Sequence, residues 1–301
     1  MSPRCPHPYG LSFDGRSLTL ARFDGGVTVE PATGAPTILI AAVDTETTGL
    51  MAGTDLIIEL AMVFIRVEIP TGRVVAHVGT HTWYHDPGFP LPDAIIQLTG
   101  LTDDVLKGHR LPCQQIADLL VGVDYILAQG AEFDRAFLAE AIPSVRTIPW
   151  LCSRSQIDWH ANGHASAALP CLAKDHGFFY AAHRATIDAE VVIKVMAMGS
   201  RPEAPSYLSR LLEDIQCPVV MLAALNAPFS AKDTLKNRKW TWNDVGRFWY
   251  ILVSPSAMAA EVEWITEHRE TIGGRPSRAE IPIVERFDVS ARSRLSFTAL
   301  S

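Results

Sequence analysis

Two carboxylates, Asp44 and Glu46, stand two positions apart at the end of an apolar run. In a strand, residues i and i+2 project from the same face, so these side chains would lie side by side. Carboxylates held so close repel each other unless a cation neutralises them, and Mg²⁺ and Mn²⁺ favour such oxygen ligands. The pair therefore indicates a divalent-metal site, while two solvated turn residues would give the same spacing.

Later in the chain, three more residues have side chains that suit the same metal site. Asp134 falls in the first turn of a predicted helix, where the helix dipole alone also favours an aspartate. His183 and Asp188 are five positions apart, which on one helix would place them roughly 140° from each other. If both serve one site, His183 must precede the helix that carries Asp188. A histidine can accept a proton near neutral pH.

The elements that must position these residues are predicted in the order of three strands, three helices, one strand and then further helices. Apolar runs predict strands at 37–43, 56–69, 74–84 and 125–129. Helical periodicity predicts helices at 91–98, 102–107, 113–121, 132–141, 169–176 and 184–198. We therefore expect a mixed α/β domain whose acidic residues lie at strand ends and helix starts.

The chain of 301 residues is long enough for this domain and a smaller one. Residues 1–37 contain two Asp-Gly pairs between short alternating runs and are predicted to form an N-terminal arm or hairpin. A polar, proline-containing stretch at 200–206 suggests a domain boundary. Residues 201–301 are predicted to form a small α+β module, with strands at 219–225, 240–242 and 247–253, helices at 232–237 and 257–268, and loop with at most one strand after Gly273.

The overall composition indicates a globular protein rather than a highly basic one. The net charge is −7, with −8 in residues 1–200 and +1 in residues 201–301. An acidic first part suits a carboxylate metal site and equally suits a solvated acidic surface. The sequence has no long apolar run, no apolar signal-peptide core and no paired cysteines, so we expect a cytoplasmic protein with reduced thiols and no membrane partner.

Several stretches resemble the DEDDh 3′–5′ exonucleases, which include the epsilon subunit of bacterial DNA polymerase III, RNase T and oligoribonuclease. VDTETTGL (43–50), AEFDRAFL (131–138) and HRATIDAEV (183–191) resemble the three motifs of that superfamily. LTGLTDDVL (98–106) is similar to the helix start that follows the third strand in many members. WLCSRSQIDW (150–159) with LPCLAKDHGFFY (169–180) is similar to the segment before the third motif. The resemblance covers about residues 38–198.

The resemblance implies an RNase H-like mixed sheet flanked by helices, and a two-metal phosphodiester hydrolysis that releases nucleoside 5′-monophosphates. By this resemblance the metal carboxylates, for two Mg²⁺ or Mn²⁺ ions, and the general base are Asp44, Glu46, Asp134, Asp188 and His183. Two departures stand nearby, Gln129-Gly130 where members often carry His-Asn, and Leu98-Thr99 where they often carry His. We expect altered contacts near the 3′ terminus.

The resemblance also implies a substrate-binding role for the residues that follow the first motif's acids. Thr47 and Gly49 would donate hydrogen bonds to the terminal nucleotide, and Leu50 would pack against its base. From the sequence alone, Leu50 is equally consistent with a core position.

The expected partner is a nucleic-acid 3′ end, with DNA favoured over RNA, in repair, proofreading or DNA processing. An exoribonuclease and a non-catalytic nucleic-acid-binding protein with a vestigial fold are the alternatives. The sequence identifies no protein partner. The aromatic and basic segment 226–253 suggests either a platform for single strands or the core of the small module, and we expect at least half of its aromatic residues to be core.

Overall fold

The strand that ends in Asp44 and Glu46 lies in the middle of the first sheet. The structure, a computed structural model, describes residues 19–201 and 203–300. It divides into two compact units, one through Asp214 and one from Ile215. The strands and helices in the first part of the chain are β1 (Ala21–Arg22), β2 (Thr37–Thr47), β3 (Ile57–Glu68), β4 (Val74–Tyr84), α1 (Asp93–Thr99), α2 (Asp103–Leu106), α3 (Cys113–Leu119), β5 (Tyr125–Ala128), α4 (Ala131–Ala141), β6 (Trp150–Cys152), α5 (Leu169–Asp175), β7 (Phe178–Phe179), α6 (Ala185–Ala197) and α7 (Tyr207–Ile215).

The main sheet of the first unit is mixed, in the order β4-β3-β2-β5-β6. β2 pairs antiparallel with β3 along its whole length and parallel with β5 on its other side. Its centre, Ile40–Val43, is completely or almost completely buried, as expected for an apolar run between two neighbours. The carboxyl ends of β2 and β5 therefore meet at one edge of the sheet, where α4 begins.

Two helices cover this sheet and bring distant residues to that edge. α6 packs against β2 and β3, and α4 packs against β2, β5 and β6. Both bury most of their residues, and the acidic residues Asp134 and Asp188 are among the buried ones. Since each acid lies in the first turn of its helix, both carboxylates are held close to the end of β2.

The predicted fold class is confirmed, with an RNase H-like mixed sheet flanked by helices and a further sheet in the C-terminal unit. β2 continues to Thr47 instead of ending at Val43, because β3 pairs with it as far as Ile57. β6 and α7 were not predicted. The hairpin expected in the N-terminal arm lies partly outside the described residues, and the described part contains β1, paired parallel with β7.

The elements of the second unit are β8 (Val219–Leu225), α8 (Lys232–Asn237), β9 (Thr241–Asn243), β10 (Phe248–Val253), α9 (Pro255–Glu267), α10 (Arg269–Ile272), β11 (Arg275–Ile281) and β12 (Thr298–Ala299). The strands form an antiparallel sheet in the order β12-β11-β8-β10-β9, with helices packed on it. The segment after Gly273, predicted as loop with at most one strand, contributes two strands, β11 and β12. Across residues 19–201 and 203–300, the helices are too short or too polar to cross a membrane.

Candidate active site

Three carboxylates converge at the end of β2. Asp44 and Glu46 lie on the strand, and Asp188 comes from the first turn of α6. Each offers one oxygen, and the three oxygens lie within 4.8 Å of one another. The same-face arrangement predicted from the i, i+2 spacing is therefore present, and the helix adds a third acid to the pair.

Asp188 is held in place by two hydrogen bonds. The Tyr180 hydroxyl donates to Oδ1 at 3.0 Å, and the backbone N–H of Arg184 donates to Oδ2 at 3.1 Å. The second bond caps the start of α6, because Arg184 is its N-cap residue. The carboxylate orientation is thus set by the helix start and by a side chain outside the helix.

Asp134 reaches the same site from α4. It is 4% exposed, and its Oδ1 accepts a hydrogen bond from Thr45 Oγ1 at 2.8 Å. Thr45 lies between the two strand acids, so this bond ties α4 directly to the acidic segment of β2. Asp134 lines the cavity with the three clustered acids but does not belong to their 4.8 Å group.

His183 precedes α6, as the sequence required if it and Asp188 were to share a site. Its backbone φ is +65°, in the left-handed region that a non-glycine residue adopts at a cost of about 1 kcal/mol. The side chain is exposed and lines the cavity together with Asp188. Strained backbone of this kind is often found at functional sites.

The cavity that unites these residues has a volume of about 470 Å³. Its lining also includes Arg154, Phe133, the loop residues 166–168 and the first two residues of α5. Gln129, at the first departure from the family pattern, also lines it. The Gln129 side chain donates to Ala167 O at 2.7 Å and accepts a hydrogen bond from Ser153, so it links β5 to that loop.

Burial raises the pKa values of the four acids in the cavity, and repulsion between their carboxylates adds to this effect for Asp44 and Glu46. Burial raises the pKa of Asp44 well above its usual value, and the carboxylates of Asp134, Asp188 and Glu46 raise it further. Burial, followed by the charges of Asp188 and Glu59, raises the pKa of Glu46 to about 8. Burial raises the pKa of Asp134 to about 7 and also raises that of Asp188. A divalent cation would stabilise the ionised forms, and the hard oxygen donors present fit Mg²⁺ or Mn²⁺.

Sequence reasoning missed two supporting residues, Glu59 and Tyr180. Glu59, 1% exposed, faces Glu46 across the β2–β3 pair. Its carboxylate lies 3.5 Å from Arg184 Nη2 and accepts a weak bond from the N–H of Ala185. A charged residue inside the apolar run of β3 was the available signal for Glu59. Tyr180 had no comparable signal, because its link to Asp188 exists only in the folded chain.

Thr47 is the last residue of β2, and Gly49 and Leu50 belong to the loop that follows the strand. Thr47 donates its hydroxyl hydrogen to Gly49 O at 2.6 Å, and Leu50 is 84% exposed, so Leu50 is not a core residue. A Cβ on Gly49 would approach the Asp55 carboxylate to 2.5 Å, which accounts for the glycine. These three residues are not among those described as lining the cavity, and their contact with a nucleotide stays a prediction.

An RNase H-like sheet with clustered carboxylates at the end of its central strand defines a class of nucleases. The family model RNase_T, described as Exonuclease, matches residues 41–196. The chain belongs to this exonuclease family, within the DEDDh-type superfamily that its motifs resemble.

Curated relatives match the same part of the chain. The DNA polymerase III PolC-type of Halalkalibacterium halodurans is 38% identical over 97 residues, which are 32% of this chain and 6% of that protein. The DNA polymerase III subunit epsilon of Treponema pallidum is 29% identical over 169 residues, 52% of this chain and 74% of that protein. The chain thus spans only a small fraction of the PolC-type polymerases that it matches.

Among solved structures, E. coli Exonuclease I in complex with a dT13 oligonucleotide is similar, with a TM-score of 0.51 and 15% sequence identity. The match covers 84% of this chain and 73% of that chain. At this identity the likeness concerns the fold.

Proposed function

We propose that this chain is a 3′–5′ exonuclease that hydrolyses the terminal phosphodiester of a nucleic-acid strand with the help of two divalent ions. The observation that carries the proposal is the convergence of Asp44, Glu46 and Asp188 within 4.8 Å. Asp134 and His183 line the same cavity, so all five motif residues are brought together. This complete set argues against a vestigial, non-catalytic fold.

The roles that we assign follow from position and charge. Asp44, Glu46, Asp188 and Asp134 would hold Mg²⁺ or Mn²⁺, which supplies an activated water and stabilises charge on the leaving oxygen. His183, exposed at the cavity, would accept the proton of the attacking water. Tyr180 and Thr45 orient two of the carboxylates through hydrogen bonds, and Arg154 places a positive charge within the cavity wall.

DNA is the substrate that we favour. The DNA polymerase III proteins among the relatives are named for DNA synthesis, and E. coli Exonuclease I was solved with a DNA oligonucleotide. An exoribonuclease remains the alternative outcome of the test, because the discriminating group would be the 2′-hydroxyl.

The test is digestion of single-stranded DNA and RNA of matched sequence, labelled at the 5′ end, in Mg²⁺, in Mn²⁺ and in EDTA. We expect a ladder that shortens from the 3′ end only with metal present, and faster on DNA. Asp44→Asn should abolish it, while Asp104→Asn, which changes an exposed carboxylate outside the cavity, should not. Intact strands in both metals would refute the proposal, and faster digestion of RNA would refute the choice of DNA.

A further inference from the structure

The second unit has a cavity of its own that the proposed hydrolysis does not use. It measures about 460 Å³, and its described lining consists of aromatic, basic and small residues: Ala227, Phe229, Lys232, Lys236, Trp242, Arg247 and Trp249. None of these residues is acidic. The cavity thus combines three cations with aromatic surface, within one folded unit.

Most aromatic residues of this segment belong to the core, as expected for at least half of them. Trp240, Phe248, Trp249 and Tyr250 are each less than one-tenth exposed. Trp242 differs, because it lies on the edge strand β9 and is 39% exposed. A large aromatic side chain left open next to a filled core is available to a ligand.

The two tryptophans of the cavity form an anchored pair. Trp242 lies directly opposite Trp249 in the β9–β10 register, and their ring centroids are 5.5 Å apart. Trp249 packs in the core with Leu235 and Trp240. The core therefore fixes one ring, and that ring supports the exposed one at the edge of the sheet.

Positive charge surrounds the exposed rings. Lys232 Nζ lies 5.3 Å from the ring centroid of Phe229, which is 85% exposed. The other two basic residues of the cavity lining are Lys236, one turn further along α8, and Arg247, in the β9–β10 turn. Arg247 has a left-handed φ of +56°, so the backbone of this turn holds it in an uncommon conformation.

We propose that this cavity binds single-stranded nucleic acid, with a base stacked on Trp242 and phosphates contacting Lys232, Lys236 and Arg247. Unpaired bases stack on exposed aromatic rings irrespective of sequence, while cations neutralise the backbone. A volume of about 460 Å³ accommodates a nucleotide-sized group. The site lies in a different unit from the acidic cavity and does not require hydrolysis.

The binding test uses the full chain in EDTA, so that no strand is cleaved. Binding of a fluorescein-labelled 20-nucleotide deoxythymidine strand is followed by anisotropy, with a uridine strand in parallel to compare DNA with RNA. Trp242→Ala should weaken binding about tenfold, as expected for the loss of one base stack. Trp242→Phe keeps an aromatic ring and should retain most of the affinity.

The charge test uses a matched pair of double variants. Lys232→Glu with Lys236→Glu should weaken binding and reduce the slope of log affinity against log salt by about 1.4, since each phosphate contact on a single strand contributes about 0.7. Arg278→Glu with Arg294→Glu changes the charge equally at exposed sites outside the cavity and should keep wild-type affinity. Thermal melting establishes that all variants fold.

Cross-linking places the strand directly. A strand containing 5-iododeoxyuridine, irradiated with the wild-type chain, should become attached to the peptide that contains Trp242. Hydrolysis of the p-nitrophenyl ester of thymidine 5′-monophosphate in Mn²⁺ separately reports the acidic cavity and should be unchanged by Trp242→Ala. Unchanged affinity of the Trp242→Ala and Lys232→Glu/Lys236→Glu variants for both strands would overturn the inference, whatever the outcome for hydrolysis.

Discussion

Replacing Glu46 by glutamine should stabilise the metal-free protein at pH 8 while it abolishes hydrolysis. The substitution keeps the shape of the side chain and removes one of the crowded negative charges. The pKa of Glu46 is raised from an ordinary 4.5 to about 8, so the folded state binds more protons than the unfolded state between these values. The contribution of Glu46 to stability is therefore most favourable below pH 4.5 and declines as pH rises towards 8.

The size of the effect follows from the two pKa values. The difference between 4.5 and about 8 corresponds to about 5 kcal/mol for full ionisation, and to about 4 kcal/mol at pH 8, where Glu46 is half ionised. Glu46 titrates together with the neighbouring carboxylates, so its own pKa shift overstates the free energy that is gained when Glu46 alone is neutralised. We therefore expect a measured gain on the order of 2 kcal/mol, or about 5 °C in the unfolding temperature.

The assay is thermal unfolding of wild type and Glu46→Gln in EDTA at pH 5 and pH 8. At pH 5 the gain should fall below about 1 kcal/mol, because wild-type Glu46 is then protonated when folded. Glu203→Gln, which changes an exposed carboxylate, should leave both temperatures unchanged. A lower unfolding temperature for Glu46→Gln at pH 8 in EDTA, or an equal gain at the two pH values, would refute the charge-crowding argument.

Three further substitutions test the supporting contacts. Tyr180→Phe removes the donor to Asp188 and should weaken Mn²⁺ binding about tenfold in a calorimetric titration; an unchanged affinity would contradict the assigned role. Thr45→Val removes the buried bond to Asp134 and should lower the free energy of unfolding by about 2 kcal/mol at pH 8, measured with urea, whereas no loss would contradict it. His183→Ala should slow hydrolysis at least about a hundredfold and leave Mn²⁺ affinity intact, and an equal loss of both would point to a structural role instead.

Much of the fold could be predicted from local patterns in the sequence. β2 and β3 were predicted because buried strands are encoded as apolar runs, and the pairing of Asp44 with Glu46 followed from the two-residue period of a strand. β6 was not predicted, because a strand of three residues is too short to show a recognisable hydrophobic pattern. The position of β11 was not assigned, because its alternating residues are mostly polar and the strand begins beside a glycine pair.

Local patterns in the sequence could not predict that acids far apart in the chain lie close together in the fold. Asp188 joins Asp44 only because α6 packs against β2 and β3, which is a tertiary arrangement that no spacing in the sequence encodes. The family resemblance supplied the set of residues that local reasoning left open. It did not supply Tyr180 or Glu59, whose importance lies in what they touch.

The residues of the acidic cavity are also separated in the order of synthesis. Asp44 and Glu46 leave the ribosome before Asp188, which follows after more than a hundred further residues have been added. Until α6 has emerged and docked on β2 and β3, the growing chain has only part of the acidic cluster. A nascent chain thus lies beside messenger and ribosomal RNA before its acidic cluster is complete, and the hydrolysis that we propose would require α6 to have docked first.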